Sequence, residues 1–394
     1  MTEPTTTAGP TITEAFTAWM ARQPAGVRPE VIAELSREAT ILGLGTSTRE
    51  GREVLDAVVT TTMRVVAEGF ATIALVDHPR VVAAYDRYIH GDDVDVEHAL
   101  SQAWGPWRTR EMEEVLERLR SHNLATPDAA VRMIGIGPAR ALPADNDEIV
   151  RLLARVDRNA AARVEELLDV IRVVHDSGEH VLRARGTHPG TPFVELARAA
   201  RAEAARVPAG PERQKALELL DGVVELHANA IGVGFDAERE ERQAAQRLLD
   251  HRRRTGERIV LWEGSSHVAA APGPSIGSHL RDAPGERYTA VHVTFGSGRI
   301  PDATIPAPQV GSLESHLVAA GGERTIDLGV ARTATAAAFD RTWSTRIVSG
   351  MYDPARDSAH YLEVPSLPDS FDALIHVPTI SPVHPLPPAR RDPA

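Results

Sequence analysis

The stretch ILGLGTSTREGRE (Ile41–Glu53) reads as an apolar strand, a glycine turn and the start of a helix. Its turn carries Arg49, whose guanidinium stays protonated and can bind a carboxylate, phosphate or enolate but cannot act as a base. A helix N-terminus adds backbone N–H groups that favour the same anionic ligands. Two further turns follow apolar runs in the same way. GFATIALVD ends in Asp77 and His78, and RIVLWEG runs into Glu263, Ser265, Ser266 and His267. His267 is the group best suited to proton transfer, because an imidazole titrates near neutral pH. Glu263 could serve it as a base, and Asp77 could orient it or pair with Arg49. Glu53 could hold Arg49 in place. His78 is a weaker candidate for contact with a ligand. Ser265 and Ser266 are read as hydrogen-bonding groups, since neither is the serine of a GxSxG elbow. Against each stands a plainer reading: a capping histidine, a structural ion pair, or a carboxylate turned to water.

These turns need a scaffold that brings them together. Apolar runs at 39–45, 69–77, 131–137 and 258–264 alternate with helical periodicity at 50–68 and 108–122 and a helix begun by Pro79. That order predicts an α/β fold with a mostly parallel central sheet flanked by helices. Ligands then bind beyond the carboxyl ends of the strands, where the three turns would converge. Further strands are expected at 287–298, 325–329, 346–350 and 374–377. From Asp145 to about His180 the pattern is helical and rich in Arg and Glu, and helices at about 192–206, 211–231 and 236–254 follow, which predicts an inserted helical lobe over the cleft. The expected organisation is a disordered N-terminus at 1–10, a first part of the core at 11–140 and the helical lobe at 141–256. A second part of the core at 257–381 and a Pro-rich tail at 382–394 complete it.

The 394 residues suffice for such an arrangement, and 42% hydrophobic with 25% charged residues suits a soluble globule. A net charge of −12 argues against nucleic acid and anionic membranes as partners. The absence of Cys removes disulfides, thiolate nucleophiles and thiolate metal sites together. Neither an apolar leader nor an 18-residue apolar run occurs, so the expected setting is cytoplasmic. No HxH or HExxH spacing supports a metal, and the glycine patterns of nucleotide sites are missing, so no cofactor is expected. All but one of the 43 basic residues are Arg, so a single Arg is weak evidence of function.

Taken in order, GLGTSTREGRE, GFATIALVD, WRTRE, IVLWEGSSHVA, IGSHL, VHVTFGSG, GSLESHL and FDALIHVPTISPVHPL resemble the erythromycin esterase family over about residues 12–388. The resemblance implies an α/β core with helical lobes around a deep cleft, and hydrolysis of a macrolide lactone by a His/Glu pair that activates water. It also exposes departures. The family's first motif, roughly LGExTHGTxE, has a Glu where this chain has Thr46 and a His where it has Arg49. Val76 replaces a Glu before Asp77. In the pattern WxHNxH, Trp262 and His267 match, but Gly264 and Ser265 replace the first His and the Asn. By the same alignment Thr46 and Ser47 face the substrate, Arg239 falls on a family Arg, and Trp107 with Arg108 fall on a segment that packs and positions. The implied protein keeps an esterase cleft but has lost the usual base. Its expected chemistry is acid–base tailoring of a polyketide or other natural product, such as cyclisation, dehydration or isomerisation. Ester or lactone hydrolysis and non-catalytic ligand binding are the alternatives.

Overall fold

The computed structural model of the chain describes residues 12–138, 140–173, 177–339, 341–348 and 352–387. The expected disordered residues 1–10 and the end of the tail, 388–394, lie outside them. The chain divides into two compact units, one formed by residues up to Gly137 together with Glu241–Pro387, the other by Pro138–Glu240.

Among the described residues the first unit contains ten strands: β1 (Ile41–Thr46), β2 (Phe70–Leu75), β3 (Arg132–Gly135), β4 (Arg258–Gly264), β5 (Tyr288–Ile300), β6 (Ala303–Ile305), β7 (Arg324–Asp327), β8 (Trp343–Arg346), β9 (Tyr361–Val364) and β10 (Ala373–Ile380). The main sheet runs β3-β2-β4-β1-β5-β10-β7, with β6 paired to β5. β1, β2, β3, β4, β5 and β10 are mutually parallel, while β7 and β6 are antiparallel to their neighbours. The expected mostly parallel α/β sheet is therefore present. β1 is buried at all six positions, as a central strand covered by helices must be. Two short strands, β6 and β9, carry no apolar run and escape the sequence pattern. β8 begins at Trp343, earlier than the expected 346–350, and pairs with β9 as a separate antiparallel ribbon.

Two glycines of β1 explain how the site is assembled. A Cβ on Gly43 would lie 2.2 Å from the Tyr288 hydroxyl oxygen, and one on Gly45 would lie 2.8 Å from Ser265 Cα. Their bare backbone lets the short helix Ser265–Val268, which carries His267, pack directly on the strand that leads to Arg49.

The second unit is helical: Pro143–Ala154, Arg158–Val173, Ser177–Ala184, Phe193–Ala205 and Pro211–Ala228. Its core includes Ile149, Leu153, Val164, Leu168, Phe193 and Leu220. Ala197, Ala200 and Ala204 form a buried small-residue face on one helix, so close helix packing replaces bulk there. The helix Ala237–Thr255 begins in this unit and continues into the first. Among the described residues no helix is long and apolar enough to cross a membrane.

Candidate functional site

In the register of the sheet Thr46 lies opposite Gly264, so the turn after β1 and the turn after β4 leave the sheet side by side. The Thr46 hydroxyl ties them by donating to the Glu263 carbonyl at 3.3 Å. Glu263 ends β4 with its side chain 4% exposed. Its Oε1 lies 2.5 Å from Arg49 Nη2 and 3.7 Å from His267 Nε2. A guanidinium and an imidazole thus face one carboxylate. Gly264 sits between them: a Cβ there would lie 3.3 Å from both Arg49 Nη2 and His267 Cδ2. The missing side chain at Gly264 gives the long arginine its room.

The other ring nitrogen of His267, Nδ1, donates to Glu241, and the second oxygen of that carboxylate accepts the Ile276 N–H at 2.7 Å. The imidazole is 42% exposed and flanked by two carboxylates. Burial opposes its positive charge, and Arg49 opposes it further. The hydrogen bond to Glu241 and the charges of Glu263 and Glu241 outweigh both and hold its pKa above the ordinary histidine value. The surroundings of His267 therefore favour its protonated form.

Arg49 is roofed by tryptophan. Its guanidinium carbon lies 4.8 Å from the Trp104 ring centroid and 5.7 Å from that of Trp107. Such cation–π contacts each contribute about 0.5–2 kcal/mol, more where the cation is desolvated. Arg49 Nε, Trp107 Nε1 and Glu263 Oε2 are buried without a hydrogen-bond partner among the described residues. A cavity of about 20 Å³ lies against Thr46, Thr48, Arg49, Trp107 and Trp262, room for about one water molecule.

Asp77 serves this roof and not the imidazole. Its Oδ1 accepts the His78 N–H at 2.7 Å and the Trp104 N–H at 3.3 Å. Burial pushes its pKa up to about 6, and the Glu263 charge adds to the shift. The expectation that Asp77 orients His267 or pairs with Arg49 is corrected: Glu241 and Glu263 hold those positions. Glu53 does not hold Arg49 either, because its carboxylate accepts the N–H and the hydroxyl of Ser381. His78 caps the helix Pro79–Ile89 by accepting the Arg80 N–H on Nδ1 at 3.1 Å. Arg108 donates Nε to the Leu386 carbonyl at 3.1 Å, which makes it an anchor for the chain's C-terminal segment. Ser47 is buried, with its backbone bonded to Val293 and Val348, and Ser266 is exposed. Arg239 belongs to the helical unit, where it bonds Asn229 at 2.6 Å and Glu240 at 3.1 Å.

Ser265 opens a second network. Its hydroxyl lies 2.7 Å from His292 Nδ1, His292 Nε2 lies 2.8 Å from the Thr345 hydroxyl, and Thr345 donates to Glu314 at 2.5 Å. Thr294 and the Arg346 N–H also donate to Glu314. All these residues are fully buried, or nearly so.

Sequence reasoning missed Glu241, Trp104 and this second network. Glu241 sits in a charged helix among Glu238 and Glu240, where nothing in the pattern separates it from a solvated face. Trp104 shares the WGPW turn with Trp107, and the pair of tryptophans flanking Gly-Pro was the available signal. No group of three His, Asp or Glu among the described residues is arranged to hold a metal ion.

Comparison with known proteins agrees with this architecture. The family described as Erythromycin esterase matches residues 65–380. A succinoglycan biosynthesis protein of known structure is 17% identical, with a TM-score of 0.64 over 96% of this chain and 100% of that one. A Bacillus cereus protein gives 17% identity and a TM-score of 0.62 at the same coverage. An erythromycin esterase mutant in its open conformation gives 15% identity and a TM-score of 0.55, covering 90% of this chain and 94% of that one. At such identities these three likenesses speak for the fold alone. No curated protein sequence matches the chain. The match over most of its length, on the expected sheet, makes this chain a member of the erythromycin esterase family.

Proposed function

We propose that this protein is an enzyme that moves protons on an oxygen-rich small molecule of polyketide or macrolide type, with His267 as the acid. Glu263 lies beside it as the acceptor, and Arg49 steadies negative charge on that carboxylate or on the substrate. One observation carries the reading: the imidazole and the guanidinium both face the Glu263 carboxylate, at 3.7 Å and 2.5 Å. Glu241 orients the imidazole and favours its protonated form, which suits a proton donor. By the resemblance of its first motif, this chain carries Thr46 and Arg49 where the family has a Glu and a His, and neither can take a proton from water at neutral pH. Cyclisation, dehydration or isomerisation needs a placed acid and base in a shaped site and no activated water, which suits these groups. The partner is a small molecule and not nucleic acid, and the setting is cytoplasmic.

Family membership favours a second reading, hydrolysis of an ester or lactone with Glu263 and His267 in place of the usual pair. One experiment separates the two. The protein is incubated in ¹⁸O-water with a panel of macrolide lactones, linear polyketide acids and 4-nitrophenyl acetate, alongside His267→Gln. The proposal expects products of unchanged mass, or of mass lower by one water, without label, and their loss in His267→Gln. Label in every product overturns it in favour of hydrolysis. Turnover that survives His267→Gln overturns both.

A further inference from the structure

The segment that follows β10, Ser381–Pro387, reads in sequence as part of a proline-rich tail, yet it is bonded along its length. Pro382 and Pro385 have no N–H to give. Each of the other N–H groups from 381 to 386 is used. Ser381 donates to Glu53 Oε2 at 2.6 Å, and Val383 donates to the Glu50 carbonyl at 3.1 Å. His384 donates to Glu111 Oε2 at 2.9 Å, and Leu386 donates to the Arg108 carbonyl at 2.9 Å. Bonds return in the other direction. Arg52 N–H donates to the Ser381 carbonyl, Arg110 N–H to that of His384, and Arg108 Nε to that of Leu386. His384 Nδ1 also lies 2.7 Å from Glu111 Oε1.

These anchors fall into two sets. Residues 50–53 open the helix that follows Arg49, and residues 108–111 open the helix that follows Trp107. Each set begins one residue after a member of the Arg49–Trp107 contact. The two helix starts share in addition an ion pair between Arg52 and Glu111, 3.5 Å apart. Prolines with fixed φ leave the free segment little freedom to lose when it docks.

We propose that Ser381–Pro387 is a strap that positions Arg49 beneath Trp104 and Trp107 by fixing the two loops that carry them, with Glu53 and Glu111 as its positioning residues. Its functional meaning rests on the reading of Arg49 as a site residue. The strap itself can be tested without any substrate, so either idea can fail alone.

The test uses the full chain and two readouts. The first is the rate at which phenylglyoxal labels Arg49, followed by mass spectrometry, with the exposed Arg253 as the internal control. The second is amide hydrogen exchange over 47–53 and 104–111. Glu53→Ala cuts the strap on one side and His384→Ala on the other. Each should speed Arg49 labelling and exchange at the opposite anchor by about fivefold or more, because a cut strap frees both loops. Glu53→Gln keeps an acceptor for Ser381 and should stay near wild type. Arg253 should label at the same rate throughout. Loosening confined to the mutated side, with Arg49 labelled at the wild-type rate, overturns the proposal. So does Glu53→Gln behaving like Glu53→Ala.

Discussion

Two histidines belong to or touch the same short helix, His267 within it and His292 bonded to its first residue, and they are built for different ends. His267 lies between Glu241 and Glu263 and keeps 42% of its side chain in contact with solvent. His292, reached through Ser265, lies between a hydroxyl on each side and is wholly buried above the equally buried Glu314. Burial alone would raise the Glu314 carboxyl, but the His292 ring, Thr345 and backbone N–H groups outweigh it and hold it below the usual range. Pairing a histidine with a glutamate is therefore not what marks a reactive site here. The site we propose is marked instead by a partly exposed imidazole with a raised pKa, beside a carboxylate oxygen that no group among the described residues satisfies.

Cutting into the buried network should cost most. Glu314→Ala removes the acceptor for Thr294, Thr345 and the Arg346 N–H and should destabilise the fold by about 3–5 kcal/mol, read from urea unfolding. Arg49→Ala leaves Glu263 buried without its cation and should cost about 3 kcal/mol by the same measurement. If Arg49→Ala proves neutral, the pair is looser than its geometry and the contrast between the regions weakens.

The pH dependence sharpens the comparison. His376 is wholly buried on β10, and burial lowers its pKa from 6.5 to about 4. The unfolded chain takes up that proton first, so this stability is intact above pH 6.5. It is lost progressively between about pH 6.5 and 4, by about 3 kcal/mol in all. Asp77 acts in the opposite sense. Its pKa of about 6 exceeds the ordinary 3.8, so its contribution improves as pH falls through 6, and the ionised group costs about 3 kcal/mol at pH 7. Asp77→Asn should stabilise the protein at pH 7 and leave it unchanged near pH 4, as thermal unfolding across pH would show. Glu241→Gln should change stability by less than about 1 kcal/mol, yet lower the His267 pKa.

How much of this was legible follows from what leaves a trace in side-chain pattern. The apolar runs into Thr46, Val76 and Gly264 gave the strands and the turns, because a strand buried on both faces must be apolar and must stop at a turn. The juxtaposition of Arg49, Glu263 and His267 followed from those ends. The strap did not, because its bonds are made mainly by backbone groups, for which a Pro-rich sequence carries no periodic signal. β6 and β9 were missed for the same reason: each is held by an antiparallel partner and not by a run of apolar residues. The roles expected of Asp77 and Glu53 went to other carboxylates, since chain order says that an acid is near a turn and not which way it points.

The central claim is that His267 holds a proton for chemistry beside a permanent cation. Its most direct test is an NMR titration of the His267 ring in the wild type, Glu241→Gln and Arg49→Gln. The account predicts a wild-type pKa above the ordinary histidine value, a fall in Glu241→Gln and a further rise in Arg49→Gln, whose charge opposes the imidazolium. A wild-type value at or below the ordinary one, indifferent to the loss of Arg49, would contradict it.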